Sequence, residues 1–141
     1  AVGPESVWDA LNVLNVSRIG HGISSMNDEA LMKYLSEKDI PLEICLTSNI
    51  ITRHFVSKIE DHPIKLFFAR GVPVVLNTDD PAFFKVDLID EYWNLYSKLD
   101  FDLNSIKKII ENSFRYSFMP EKMKEKLIKS VNVAWDSNFT S

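Results

Sequence analysis

Short apolar segments alternate along this chain with stretches of helical periodicity, and few architectures accept that alternation. The apolar segments have the length and composition of strands, and between them apolar residues recur every three or four positions. Nearly continuous apolar strands that alternate with helices are typical of parallel βαβ units, whose helices cover both faces of a sheet. The chain is therefore predicted to be an α/β fold, with strands at 17–20, 41–45 and 72–76 and helices at 4–14, 28–37 and 62–69.

Local signals mark the ends of the predicted helices. Pro4 suits the first turn of the first helix, Asn27 is the predicted N-cap of the second, and Gly71 stops the third. After residue 81 the pattern is helical to the end, in three apolar stripes that we expect to face the core. The stripes are Leu88, Tyr92, Leu95 and Leu99; Ile106, Ile109, Ile110 and Phe114; and Met123, Leu127, Val131 and Trp135.

Composition limits the classes of protein and partner. With 141 residues, of which 45% are hydrophobic, residues 1–141 are treated as one unit. A net charge of −4 without long charged runs argues against nucleic acid or an anionic membrane surface as a partner. The longest apolar runs, such as 72–76, are too short to span a bilayer. One cysteine, Cys45, excludes an internal disulfide and is predicted to be a buried small hydrophobe; with no leader at Ala1, the expected location is the cytoplasm.

Polar residues follow each of the three predicted strands. His21 comes after the first, Thr47, Ser48 and Asn49 after the second, and Asp79 and Asp80 after the third. Parallel strands place their carboxyl ends at one edge of the sheet, which is where chemistry occurs in barrels and open α/β sheets alike. These residues are therefore predicted to lie together.

Each candidate also has a purely structural interpretation. Adjacent carboxylates at Asp79 and Asp80 suit a cation or a hydrogen-bonding substrate, but Asp80 can equally cap a helix that starts at Pro81. His21, between Gly20 and Gly22, is either a base, a metal ligand or electrostatic catalyst, or a histidine in a turn.

The remaining histidines and motifs narrow the chemistry. His54 and His62 are interpreted as surface or capping residues. The chain has no Walker-type loop, no G-x-G-x-x-G, no H-E-x-x-H and no C-x-x-C. Zinc sites need three or four ligands, and the strand ends supply at best His21 and Asp79. Any metal would therefore take most of its ligands from elsewhere.

Three segments together resemble the C-terminal half of adenosine deaminase. They are Arg18-Ile19-Gly20-His21-Gly22, the segment 41–49 (PLEICLTSN), and 76–81 (LNTDDP). Asn112-Ser113-Phe114 and Ser117-Phe118 are also similar to that family's closing helices. The resemblance extends over essentially the whole chain.

The resemblance implies a partial (β/α)8 TIM barrel, with strands six to eight and the C-terminal helices. It also implies hydrolysis of adenosine and 2'-deoxyadenosine to inosine and ammonia, in which zinc activates the attacking water. By similarity Asp79 is the zinc ligand, Asp80 binds N7 of the purine nucleoside, and His21 orients and helps to deprotonate that water. Ser48 and Asn49 lie near the pocket without an assigned role.

The chain also departs from the family pattern. Leu46 stands where the family usually has proline. The family's H-x-H pair and its H-A-G-E segment, which carry the other ligands and the acid that protonates the ring, have no counterpart here. We therefore expect a fragment that alone neither binds zinc tightly nor deaminates. Its open strand edges favour self-association or pairing with the missing N-terminal half.

Two alternatives stay open at this point. An adenine or AMP deaminase of the same superfamily would share the chemistry, although Gly20 before His21 favours the nucleoside enzyme, because adenine-specific relatives tend to carry an acidic residue there. A non-catalytic half-barrel that assembles with a partner would instead fold stably without metal.

Overall fold

Three parallel strands form the centre of the molecule. The structure is a computed structural model that describes residues 3–53 and 55–139. The strands are β1 (Ile19–Gly20), β2 (Leu42–Ile44) and β3 (Val74–Leu76), in the order β1-β2-β3. Both pairings are parallel, with Ile19 opposite Leu42 and Ile44 opposite Leu76. The predicted α/β arrangement is confirmed, and each strand is shorter than its apolar segment.

Helices connect the strands and continue beyond them. Two 3-10 turns, Ile23–Asn27 and Ile59–Asp61, stand before α2 and α4. The helices are α1 (Pro4–Asn12), α2 (Glu29–Glu37), α3 (Leu46–Thr52), α4 (Ile64–Ala69), α5 (Pro81–Phe84), α6 (Leu88–Ser97), α7 (Leu103–Arg115) and α8 (Glu121–Phe139). The short α3, over the predicted polar turn after β2, was not expected.

The N-cap of α2 differs from the prediction by one residue. Asp28, not Asn27, has the extended backbone of an N-cap, and its side chain accepts a hydrogen bond from the Leu31 N–H at 2.9 Å. Its other oxygen accepts from Trp8 Nε1 at 2.9 Å. Asn27 instead ends the preceding 3-10 turn. A carboxylate that also binds α1 therefore caps this helix.

The core lies on the face of the sheet that Leu42, Ile44 and Val74 share. Leu42, Ile44 and Val74 are fully buried, and Leu31 and Phe67 cover them from the helices. The first two C-terminal stripes contribute Leu95, Leu99, Ile106 and Ile109, as predicted, but Leu88 of the first stripe is 45% exposed. Asn112 of α7 is also buried, and its Nδ2 donates to the Val74 carbonyl at 2.9 Å. That bond ties α7 directly to β3.

Of the third stripe, only Trp135 packs against the core, and it is half-buried. None of the described residues of α8 is buried, and Met123 is 50% exposed. Lys107 of α7 pairs with Asp136 of α8 at 3.7 Å. Helix α8 therefore lies outside the core and packs mainly against α7.

Arg18 fastens the segment after α7 to the first strand. Its Nη1 donates to the Tyr116 carbonyl at 2.9 Å, and its Nη2 pairs with Glu43 Oε1 at 2.5 Å. The guanidinium also lies 4.3 Å from the centre of the Phe118 ring.

In the described ranges, no helix combines the length and the apolar character needed to cross a membrane.

Gly22 is required by its backbone and by its neighbours. Its φ is +66°, and an added Cβ would lie 2.6 Å from Leu42 Cδ2. We expect Gly22→Ala to lower the free energy of unfolding by about 2–4 kcal/mol, because strain and overpacking add. Gly20→Ala is the matched control, since a Cβ there meets nothing within 4 Å. Equal losses in urea unfolding of the two variants would contradict this explanation.

Candidate functional site

The carboxyl ends of the three strands converge on one cavity. His21 after β1, Ser48 and Asn49 in α3, and Asp79 after β3 are among the residues that line a cavity of about 250 Å³. Parallel pairing brings these ends to the same edge, although the residues lie far apart in the chain. The predicted convergence of His21 with Asp79 is therefore observed.

Two of these residues have a strained backbone. His21 has φ +58° and Asp79 has φ +62°, in the left-handed region that costs a non-glycine residue about 1–2 kcal/mol. Both follow strands. Five other non-glycine residues in the described ranges share this conformation, but each follows a helix, where it is common: Asn15, Asp39, Arg53, Lys85 and Asp100. Strain at two strand ends of one cavity is typical of a functional site.

A buried glutamate from a distant helix starts α3. This helix begins at Leu46 with no side-chain cap of its own. Glu91 of α6, fully buried, accepts from the Leu46 N–H at 2.8 Å and from the Thr47 N–H at 3.1 Å. Burial raises the pKa of Glu91, and the hydrogen bonds from Thr47 and Leu46 oppose that rise. The position of Ser48 and Asn49 therefore depends on Glu91.

Asp79 contacts side chains from both other strand ends. Ser48 Oγ donates to Asp79 Oδ2 at 2.7 Å. His21 Nε2 lies 3.7 Å from the same oxygen. Both carboxylate and imidazole remain partly exposed to the cavity, with side-chain exposures of 39% and 43%. The pair is thus held by the protein and open to a ligand.

Asn49 connects His21 to His62, a histidine that the sequence alone placed at the surface. Asn49 Nδ2 lies 3.0 Å from His21 Nδ1, and its Oδ1 lies 3.2 Å from His62 Nε2. His62 is only 3% exposed, so its surface interpretation is wrong. The capping interpretation is confirmed, because its Nδ1 accepts the Ile64 N–H at the start of α4. His54 lies outside the described residues.

Asp80 does not line the cavity in this structure. Its carboxylate accepts the Phe83 N–H at 2.9 Å and caps α5, which begins at Pro81. The structural interpretation of Asp80 is therefore realised. Only Oδ1 takes part in that bond, so the capping role leaves the other oxygen for a further contact.

Comparisons with known proteins identify the family. The adenosine deaminase family model matches residues 1–134. The chain belongs to the adenosine deaminase family. It is 43% identical over 136 residues to aminodeoxyfutalosine deaminase of Streptomyces avermitilis, covering 94% of this chain and 38% of that protein. It is 42% identical over 131 residues to adenosine deaminase of Klebsiella pneumoniae, covering 93% and 39%.

Solved structures confirm the predicted fold. Adenine deaminase from Arthrobacter aurescens superposes with a TM-score of 0.90 at 34% identity, covering 94% of this chain and 40% of that one. An amidohydrolase from Burkholderia ambifaria with bound zinc gives 0.87 at 20% identity, covering 96% and 38%, a likeness that shows the fold. The three βα units are therefore part of a (β/α)8 barrel. The chain spans about two fifths of the length of these family members.

The residues present fit one part of a metal centre of this family. Asp79 offers an oxygen donor that zinc accepts, and it faces the cavity beside His21. The Ser48 hydroxyl orients the carboxylate, as outer-shell partners of metal ligands do. Within residues 3–53 and 55–139 no group of three or more His, Cys, Asp or Glu side chains is placed to hold a metal. The donor set is compatible with zinc and incomplete.

Cys45 takes no part in this site. It is 5% exposed, as predicted, and its Sγ contacts the Glu43 carbonyl oxygen at 3.9 Å. Burial, together with the Asp79 and Glu91 carboxylates, raises the pKa of the Cys45 thiol to about 12. A thiol that stays protonated at neutral pH is neither a nucleophile nor a metal ligand.

Burial of His62 makes stability depend on pH. Burial lowers the pKa of His62 from 6.5 to about 4, so the folded protein binds its proton less tightly than the unfolded chain does. The contribution of His62 is therefore complete above pH 6.5 and is lost as the pH falls through about 4, by up to about 3 kcal/mol. Urea unfolding across this range is expected to show a weaker decline for His62→Gln than for the unsubstituted protein; identical declines would contradict the assignment.

Proposed function

We propose that this chain forms strands six to eight of a zinc-dependent deaminase that converts adenosine and 2'-deoxyadenosine, with water, to inosine or 2'-deoxyinosine and ammonia. Membership of the adenosine deaminase family supports the class of reaction. The observation that carries the proposal is the approach of His21 Nε2 to Asp79 Oδ2 at 3.7 Å, made by two separate strand ends. Purine salvage in the cytoplasm is the proposed setting.

Asp79 is the residue of this chain proposed to hold zinc. Its carboxylate is already oriented by Ser48, so binding loses little side-chain freedom. Zinc, when bound, supplies Lewis acidity and lowers the pKa of water. The other ligands and the acid that protonates the purine ring are proposed to come from the part of the barrel that this chain does not cover.

His21 and Asp80 are proposed to act on water and substrate. His21 Nε2 faces the cavity beside Asp79, where a hydrogen bond orients the attacking water and stabilises charge that develops on its oxygen. N7 of a purine is an acceptor, and the proposed hydrogen bond to it uses the Asp80 oxygen that does not cap α5. The Asp80 cap and the N7 contact are thus compatible.

A second candidate substrate has specific support. The Streptomyces avermitilis relative, named for aminodeoxyfutalosine, is 43% identical, against 42% for the Klebsiella adenosine deaminase. Adenine is the substrate named in the Arthrobacter structure at 34%.

Substrate preference is tested in the complete barrel by ammonia release from adenosine, 2'-deoxyadenosine, aminodeoxyfutalosine, adenine and AMP at equal concentration. We expect kcat/KM for the two adenosines to exceed that for adenine and AMP by about 10²-fold or more. A higher value for aminodeoxyfutalosine, adenine or AMP would reassign the substrate within the family. Absence of turnover with all five would overturn the deaminase proposal and favour a half-barrel that serves a partner.

The isolated chain is proposed to be inactive. It offers one proposed zinc ligand, and β1 and β3 each have one side that no described strand pairs with. The missing part of the barrel, or a second copy of the chain, is the expected partner for these edges.

A further inference from the structure

Three polar side chains form a row from the protein interior to the cavity. His62, before α4, is 3% exposed, and Asn49 of α3 is 8% exposed. Asn49 lies between His62 Nε2 at 3.2 Å and His21 Nδ1 at 3.0 Å. His21 alone of the three reaches well into the cavity, with 43% of its side chain exposed. Each link is side chain to side chain, so the donor and acceptor of each bond decide what His21 presents.

The buried end of this row determines which group donates in each of its hydrogen bonds. The Ile64 backbone N–H donates to His62 Nδ1 at 3.2 Å, and a backbone N–H can only donate, so Nδ1 carries no proton. Burial lowers the pKa of His62 to about 4, which keeps its imidazole neutral at neutral pH. The one ring proton therefore lies on Nε2 and is donated to Asn49 Oδ1.

The amide of Asn49 continues this order of donors and acceptors. Since its oxygen accepts from His62, its NH2 group faces His21 and donates to Nδ1. An imidazole nitrogen that accepts a hydrogen bond has no proton, and the neutral ring then carries its proton on the other nitrogen. For His21 that nitrogen is Nε2, the atom 3.7 Å from Asp79 Oδ2.

We propose that Asn49 and His62 are positioning residues that fix His21 Nδ1 as a hydrogen-bond acceptor, so that His21 presents its Nε2–H donor to the cavity. The consequence for catalysis rests on the proposed function. A donor at this place orients the oxygen of the attacking water and stabilises negative charge on it.

An isosteric substitution separates this role from packing. In Asn49→Asp, one carboxylate oxygen still accepts from His62 Nε2, while the other places an acceptor against His21 Nδ1. His21 Nδ1 is then expected to carry a proton, with the shape of the site unchanged. His62→Gln keeps an N–H donor toward Asn49 and is expected to keep the proton of His21 on Nε2. His62→Leu removes that donor. Asn104→Asp, on the exposed face of α7, is the matched control.

The test is long-range 15N–1H NMR of histidine-labelled complete protein, with His21 assigned by the signals that His21→Gln removes, together with steady-state kinetics. We expect pyridine-type Nδ1 and pyrrole-type Nε2 in the unsubstituted protein and a pyrrole-type Nδ1 in Asn49→Asp. For Asn49→Asp we expect kcat to fall about 10–100-fold while KM changes by less than about twofold. For His62→Gln we expect kcat to stay close to that of the unsubstituted protein.

The outcomes distinguish this proposal from the proposed function. A protonated Nδ1 on His21 of the unsubstituted protein would overturn the proposed order of hydrogen bonds. This measurement does not depend on whether any variant folds. An unchanged tautomer and an unchanged kcat in Asn49→Asp would overturn it as well. If the unsubstituted protein deaminates no purine while its His21 has the Nε2–H form, the proposed function fails and the tautomer assignment stands.

Discussion

Asp79→Asn in the complete barrel is expected to lower kcat/KM for adenosine by at least about 10³-fold and to remove the bound zinc. The amide has nearly the shape of the carboxylate, so Ser48 Oγ retains an acceptor and the strand end keeps its conformation. What it loses is the negative charge that a zinc ligand supplies. Metal content and deamination rate are measured on the same preparation.

Asp9→Asn is the control for this substitution. Asp9 is exposed on α1, so its substitution removes the same charge at a place away from the strand ends. The free energy of unfolding is expected to change by less than about 1 kcal/mol in both variants. If Asp79→Asn keeps both its zinc and its activity, Asp79 is not the ligand and the proposed site is wrong.

Glu91→Leu is expected to give a large loss of stability, about 2–5 kcal/mol. The substitution leaves the buried N–H groups of Leu46 and Thr47 without their acceptor at the start of α3. Because α3 carries Ser48 and Asn49, the hydrogen bonds to Asp79 and His21 weaken with it. Activity should therefore fall although Glu91 contacts neither His21 nor Asp79 directly.

Two further variants make this prediction specific. Glu91→Gln keeps one acceptor and is expected to lose less, about 1–3 kcal/mol. Glu125→Leu, an exposed position on α8, is expected to change the unfolding free energy by less than about 0.5 kcal/mol. Guanidinium unfolding of the three variants provides the values. Similar losses for Glu91→Leu and Glu125→Leu would show that the Glu91 contacts contribute little to α3.

The convergence of His21 and Asp79 could be predicted from sequence because it depends on local patterns. Apolar strands that alternate with helices determine parallel pairing, and parallel pairing brings all carboxyl ends to one edge. The family resemblance identified these strands as the sixth to eighth of the barrel and implied the roles of His21, Asp79 and Asp80. The strain at His21 and Asp79 carries no sequence signal, because neither is a glycine.

The missed features depend on residues distant in the chain. Helix α3 has no capping residue of its own, and its cap, Glu91, follows 45 residues later. His62 precedes a proline in a polar stretch, and only the packing of α3 against that turn buries it. The exposure of α8 is different, because its amphipathic pattern is weaker than that of α7 and the sequence therefore carries a signal for it.

Anomalous diffraction at the zinc edge, from crystals of the complete protein grown with zinc, shows whether Asp79 holds the metal. We expect one strong peak at the carboxyl ends of the strands, bonded to an Asp79 oxygen at about 2.0–2.2 Å, with His21 beside it. A zinc ion bound elsewhere, without Asp79 among its ligands, would contradict the proposed site. A protein with no zinc at the strand ends that still deaminates adenosine would contradict the proposed chemistry.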